Sequence, residues 1–125
     1  MYKRQGLNNY GTPPFTIEAR LTEILARLVY EQNVPTSDIV ILSDGRVNSY
    51  LLNDVKKAGA LRIVAQKNNL SDEVQATTIR LYKGLEKPVV ILVEPLQKDN
   101  SFIELMYVGM SRAQNHIELL TTLDK

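Results

Sequence analysis

The chain has 125 residues, enough for one domain around a single core, and its 44% hydrophobic and 23% charged residues are those of an ordinary globular protein. No apolar run reaches the length of about eighteen residues that a membrane span needs, the first ten residues lack the apolar stretch of a secretory signal, and the absence of cysteine with only one histidine excludes disulfides, a thiolate or His-rich metal site and Cys/His nucleophiles. Fifteen basic residues against fourteen acidic ones leave a net charge of +1, too little for a dedicated nucleic-acid binder, so any such contact must be local or shared with another domain. A cysteine-free chain of this kind fits a reducing, cytoplasmic setting.

Residues 1–15, rich in Asn, Gly and Pro, read as an entry segment. Ile17, Leu21, Ile24, Leu25 and Leu28 then recur at helical spacing, which predicts a helix over 16–32 closed by Asn33 and Pro35. Residues 38–43 form a short apolar run ending in an Asp44-Gly45 turn, the pattern of a strand. A second helix is expected over 48–58, with Leu51, Leu52 and Val55 inward and Gly59 as its stop. Strands follow at 61–65 and, after a polar loop that includes Asp72 and Glu73, at 76–79. Residues 89–93 are an almost continuous β-branched run, as expected of a strand buried on both faces. Ser101 and Glu104 have capping-box spacing and open a helix to about Arg112, and the last strand is placed at 116–121.

Strands and helices therefore alternate, which predicts an α/β fold with a mostly parallel sheet flanked by helices. Ligands in such sheets lie beyond the carboxyl ends of the strands, which points to the loops after Leu42, Ile79 and Val93, and to the helix end at Arg112.

Two segments have the residue types for phosphate chemistry. In the first, residues 77–92, a strand ends in hydroxyls and a cation, and a Lys83-Gly84 turn leads through Glu86 to the buried strand. Thr77, Thr78 and Arg80 can contact the phosphates of a nucleic-acid strand, Glu86 can accept hydrogen bonds from a ribose, and Gly84 lets the backbone turn tightly. The structural alternative makes the threonines ordinary strand residues, Gly84 a turn and Glu86 a solvated acid. In the second, residues 104–120, a capped helix delivers Ser111 and Arg112 just before a strand. There an arginine can neutralise a transferring phosphoryl group, or simply complement the helix dipole.

Taken together, the two segments resemble motifs V and VI of superfamily 1 helicases of the UvrD, Rep and PcrA type. Thr78, Lys83, Gly84, Leu85, Glu86, Pro88, Val90 and Leu92 match the first motif. Leu105, Tyr107, Val108, Ser111, Arg112, Ala113, Ile117 and Leu119 match the second. The resemblance runs from about Ala19 to Thr121. It implies that residues 16–125 are the C-terminal part of a second RecA-like motor domain, of three-layer α/β form. It further implies Arg112 as the arginine finger; Gly84, Glu86 and Arg112 on ATP; and Thr77, Thr78 and Arg80 on single-stranded DNA. Partners would be that DNA and a first RecA-like motor domain, with ATP and Mg²⁺ used by the full-length protein. Arg80 stands where many members have His, and Lys87 where many have an aromatic residue.

No G-x-x-x-x-G-K-[ST] phosphate loop occurs, and no strand ends in the paired acids that hold Mg²⁺, so the isolated chain is expected to be inactive as an ATPase and to carry no metal ligands. Two readings stay open: part of a larger ATP-dependent DNA helicase or translocase, or a free-standing, non-catalytic remnant acting as a protein-interaction or weak nucleotide-binding module. His116 is expected to be structural or exposed, Asp44-Gly45-Arg46 a turn, and Asp72-Glu73 a solvated loop. The scattered tyrosines, Tyr2, Tyr10, Tyr30 and Tyr50, form no evident stacking platform.

Overall fold

A computed structural model describes residues 13–68, 70–94 and 102–120. Helix α1, Pro13–Ala26, continues through a wider turn at Arg27–Glu31, where the Gln32 amide reaches back five residues to the Arg27 carbonyl. A single tight turn at Thr36–Asp38 leads into β1, Ile39–Ser43. Helix α2, Gly45–Tyr50, is likewise extended by a wide turn, Leu51–Val55, and followed by the short strand β2, Lys57–Ala58. Then come β3, Leu61–Val64; β4, Glu73–Thr78; β5, Lys87–Val93; α3, Phe102–Met110; and β6, Ala113–Leu120. Of the entry segment 1–15, residues 1–12 lie outside the described residues and 13–15 already belong to α1; the Ser101 cap and Thr121 also lie outside the described residues.

The six strands form one sheet in the order β2-β3-β4-β1-β5-β6, parallel throughout except for the β2–β3 pair. Apolar residues on both sides of β1 explain its central place. Ile39 and Ile41 enter a large core under α1 and α2, and Val40 and Leu42 enter a smaller core under α3. β5 divides in the same way, with Val89, Ile91 and Val93 on the first side and Val90 and Leu92 on the second. Ile17, Leu21, Leu25 and Leu28 are the α1 stripe that closes the larger core. The result is three layers, helices on both faces of a mostly parallel sheet, as in a RecA-like domain of partial size.

Several element boundaries differ from the sequence reading. The Asp44 carboxylate accepts a hydrogen bond from the Val47 amide at 2.8 Å, so Asp44-Gly45 is the cap of α2, which starts three residues early, and not a free turn. The helix ends at Lys56, which takes the left-handed conformation at φ 64°, while Gly59 at φ 68° turns the chain between β2 and β3. β4 begins at Glu73 and β6 at Ala113, each three residues ahead of expectation.

Glu73 is the clearest correction. It is not in a solvated loop: it is 1% exposed, and its carboxylate accepts hydrogen bonds from Arg62 at 3.0 Å and from the Asn68 amide at 2.8 Å. Arg62, on the neighbouring strand, also holds Asp72 at the surface. Two donors compensate a carboxylate that burial would otherwise penalise.

A second polar group ties α1 to the edge strand. Arg27 donates to both oxygens of Glu118, at 3.1 and 2.9 Å, and His116 Nε2 lies 2.5 Å from the same carboxylate. His116 is therefore a half-exposed structural histidine with Glu118 as its acid partner, although the sequence reading identified none.

Candidate anion-binding cleft

Helix α3 comes back over the sheet from the carboxyl end of β5 and stops at Met110. Met106 and Gly109 face the core. Gly109 sits so close to the sheet that a Cβ there would lie 2.6 Å from Leu92 Cδ1. Beyond the helix, Arg112 is pinned by its backbone: its amide donates to the Gly109 carbonyl at 3.1 Å and its carbonyl accepts from the Lys87 amide at 3.0 Å. The Ser111 hydroxyl donates to the Val108 carbonyl at 2.7 Å, so it closes the helix end and is not itself presented to a ligand.

One side of α3, carrying Glu104, Leu105 and Val108, and Arg112 just past its end face the segment that crosses the sheet between β4 and β5. The space between them is a cleft of about 460 Å³, whose other wall is Ile79, Arg80 and Lys83. Three cations and one acid thus border an apolar floor. The Nε of Arg112 is buried and has no hydrogen-bond partner among the described residues. An unpaired buried donor of this kind costs about 1–3 kcal/mol, and more when charged, so the arrangement favours an incoming acceptor.

Strand direction separates the expected site residues into two groups. Arg112 and Glu86 lie at the amino ends of β5 and β6, where Lys87 pairs with Ala113. Thr77 and Thr78 lie at the carboxyl end of β4, beside Leu42 and Ser43 of β1. The carboxyl-end rule therefore holds for the threonines and not for the arginine. Arg80, expected with the threonines, lines the cleft with Arg112. Glu86 lies outside the cleft wall; it accepts a long hydrogen bond from Gln114 at 3.4 Å and is solvent-exposed.

The threonines are adjacent in sequence but point to opposite faces of the sheet. Thr77 shares the α3 side with Leu42. Thr78 shares the α2 side with Ser43, and its hydroxyl accepts from the Leu81 amide at 3.1 Å. Gly84 is the third residue of a turn closed by the Leu85 amide on the Tyr82 carbonyl at 3.1 Å, and its φ of 82° is one that only glycine adopts readily. Tyr82 anchors this segment in the smaller core, where burial raises its phenol above the usual range, and its hydroxyl reaches the Glu86 carbonyl at 3.3 Å. Lys87 donates to the Ser37 carbonyl at 2.6 Å, a strut between strand and turn that an aromatic residue would not make.

Lys83 and Glu104 were not singled out as site residues in the sequence. The signal for Glu104 was the helical spacing of 104, 105 and 108, which places them along one side of α3, with Arg112 just past its end. Nothing local marks Lys83, because its place opposite α3 is set by the packing of Tyr82. Among the described residues no group of three His, Asp or Glu side chains is arranged to hold a metal ion, and no helix is long and apolar enough to cross a membrane.

The architecture and the cation-lined cleft together define an α/β domain of RecA-like form. No family model matches the chain, and no curated protein matches it in sequence. Among solved structures it is similar to the crystal structure of the C-terminal domain of a possible DNA helicase from Lactobacillus plantarum WCFS1. That similarity has a TM-score of 0.56 at 19% identity and covers 88% of this chain and 70% of the other. The fold is therefore one found in a helicase-related domain.

Proposed function

We propose that the chain is the C-terminal part of the second motor domain of an ATP-dependent DNA helicase or translocase of superfamily 1, with residues 16–125 forming that part. The observation that carries this reading is Arg112: a backbone-pinned arginine after a short helix, with a buried, unpaired Nε at a cation-lined cleft. In the assembled motor, bound ATP supplies the phosphoryl group, and a first motor domain supplies the phosphate loop and Mg²⁺ ligands. Arg112 neutralises charge on that group, and Glu86 takes the ribose. Thr77 and Thr78 lie at the nucleic-acid end, where single-stranded DNA would pass.

The crossing segment supports coupling between the two. It starts at Thr78, turns at Gly84 and ends at Lys87, so it spans the sheet from the proposed DNA end to the proposed nucleotide end. A shift of this segment on cleft closure would be felt at both. In a protein that joins this domain to its phosphate-loop half, Arg112→Ala lowers DNA-stimulated ATP turnover about a hundredfold or more while ATP still binds. Turnover within a few-fold of the parent would overturn the finger assignment.

A second reading is a free-standing, non-catalytic module for protein interaction or weak nucleotide binding. Titrating the chain with ATP and with single-stranded DNA separates the two readings. Submicromolar binding of either supports the module, and micromolar or weaker binding of both supports a half-site.

A further inference from the structure

We propose that Arg80 and Lys83 bind the same phosphate chain as Arg112, so that the cleft accepts the linked phosphates of a nucleotide and not a single phosphate. This rests on the reading of Arg112 as phosphate-facing and adds two residues to it.

Three observations carry the proposal. Arg80 and Lys83 line one wall of the cleft and Arg112 the other, so an anion seated between them meets cations from two elements. Against these three, the cleft has a single acid, Glu104, and the described residues show no ion pair between it and any of them. Like charges gathered in one concavity repel each other and focus a positive potential, which a multiply charged anion relieves better than a singly charged one. The size agrees: about 460 Å³ lies within the range of small-ligand sites. Ile79, Leu105 and Val108 give the cleft an apolar floor. Arg80 and Lys83 are exposed, so neither is needed to fold the chain.

The test is calorimetric titration of the full chain with inorganic tripolyphosphate, with orthophosphate and with a short oligothymidylate. It is repeated on Arg80→Gln, Lys83→Gln and Arg112→Gln, with Arg46→Gln on α2 as the control. We expect tripolyphosphate to bind about tenfold or more tighter than orthophosphate. Each of the three cleft variants should weaken it about five- to tenfold, and the control should leave it unchanged. If Arg112→Gln weakens binding while both Arg80→Gln and Lys83→Gln leave it unchanged, the proposal fails and the finger reading stands. If tripolyphosphate shows no binding at about millimolar concentration, the proposal fails and the ATPase test of Arg112 decides the finger reading separately. If Arg112→Gln is without effect, the shared site and with it the proposal fail, and the ATPase test of Arg112 decides the finger reading separately. Oligothymidylate binding tighter than tripolyphosphate, and weakened by the same variants, would assign the cations to a nucleic-acid backbone and overturn the proposal.

Discussion

Glu118 sits where an edge strand meets the end of a helix, and its two partners come from different directions. The hydrogen bonds from Arg27 hold its carboxyl below the usual glutamate range, against the opposing pull of burial, and His116 adds to the effect. A group with a lowered folded pKa contributes stability above its unfolded value, about 4.3, and loses it as the pH falls through the folded one. The denaturant midpoint should therefore fall with acid below about pH 4.3, and Glu118→Gln should flatten that fall. Equal slopes for the two proteins would show that the Arg27 contact is without consequence. Neither this group nor Arg62–Glu73 could be read from the sequence. Arg27 and Glu118 meet only after α1 packs across β6, and Glu73 looks like a loop acid until Arg62 is set beside it by strand pairing. Arg112 was legible because its surroundings are local: a helix, a Ser-Arg pair and a strand within a few residues.

Helix α3 shows how a small residue positions an arginine at the cleft. Gly109 has no side chain to hold it off Leu92 and Ile79, so α3 lies close to β5, and Arg112 emerges three residues later at the cleft. Gly109→Ala gains helix propensity but forces a methyl group into the Leu92 side chain, for a net loss of about 1–2 kcal/mol. The same change should reduce tripolyphosphate affinity, since the shift propagates to Arg112. A variant as stable as the parent by urea unfolding would mean that Leu92 can repack. Element type was legible almost throughout, because the periods of two and three-to-four residues are written in the apolar positions. Boundaries were less so. Asp44 reads as a turn residue unless its carboxylate is known to cap α2, and Gly59 is a stronger stop signal than Lys56, which nonetheless takes the left-handed position.

The two cores are joined through the same strands, since β1 and β5 contribute alternate residues to each. Loss of either core exposes the back of the other, so the described residues should unfold in one transition. Far-ultraviolet circular dichroism and tyrosine fluorescence should give coincident denaturation curves, and separated curves would show that the α3 side melts by itself. The layered architecture followed from the order of elements in the sequence. The division of the site between opposite ends of the sheet did not, because it depends on the direction in which the chain crosses from Thr78 to Lys87. The strand order has a further consequence. β1 is made before both of its partners: Val40 pairs with Gln75 on one side and Val90 on the other. During synthesis on a ribosome, that apolar strand stays bare until Glu73–Thr78 is made for one flank and Lys87–Val93 for the other. Its folding is therefore slow relative to its size, and the nascent protein is most vulnerable to aggregation until β5 emerges from the exit tunnel.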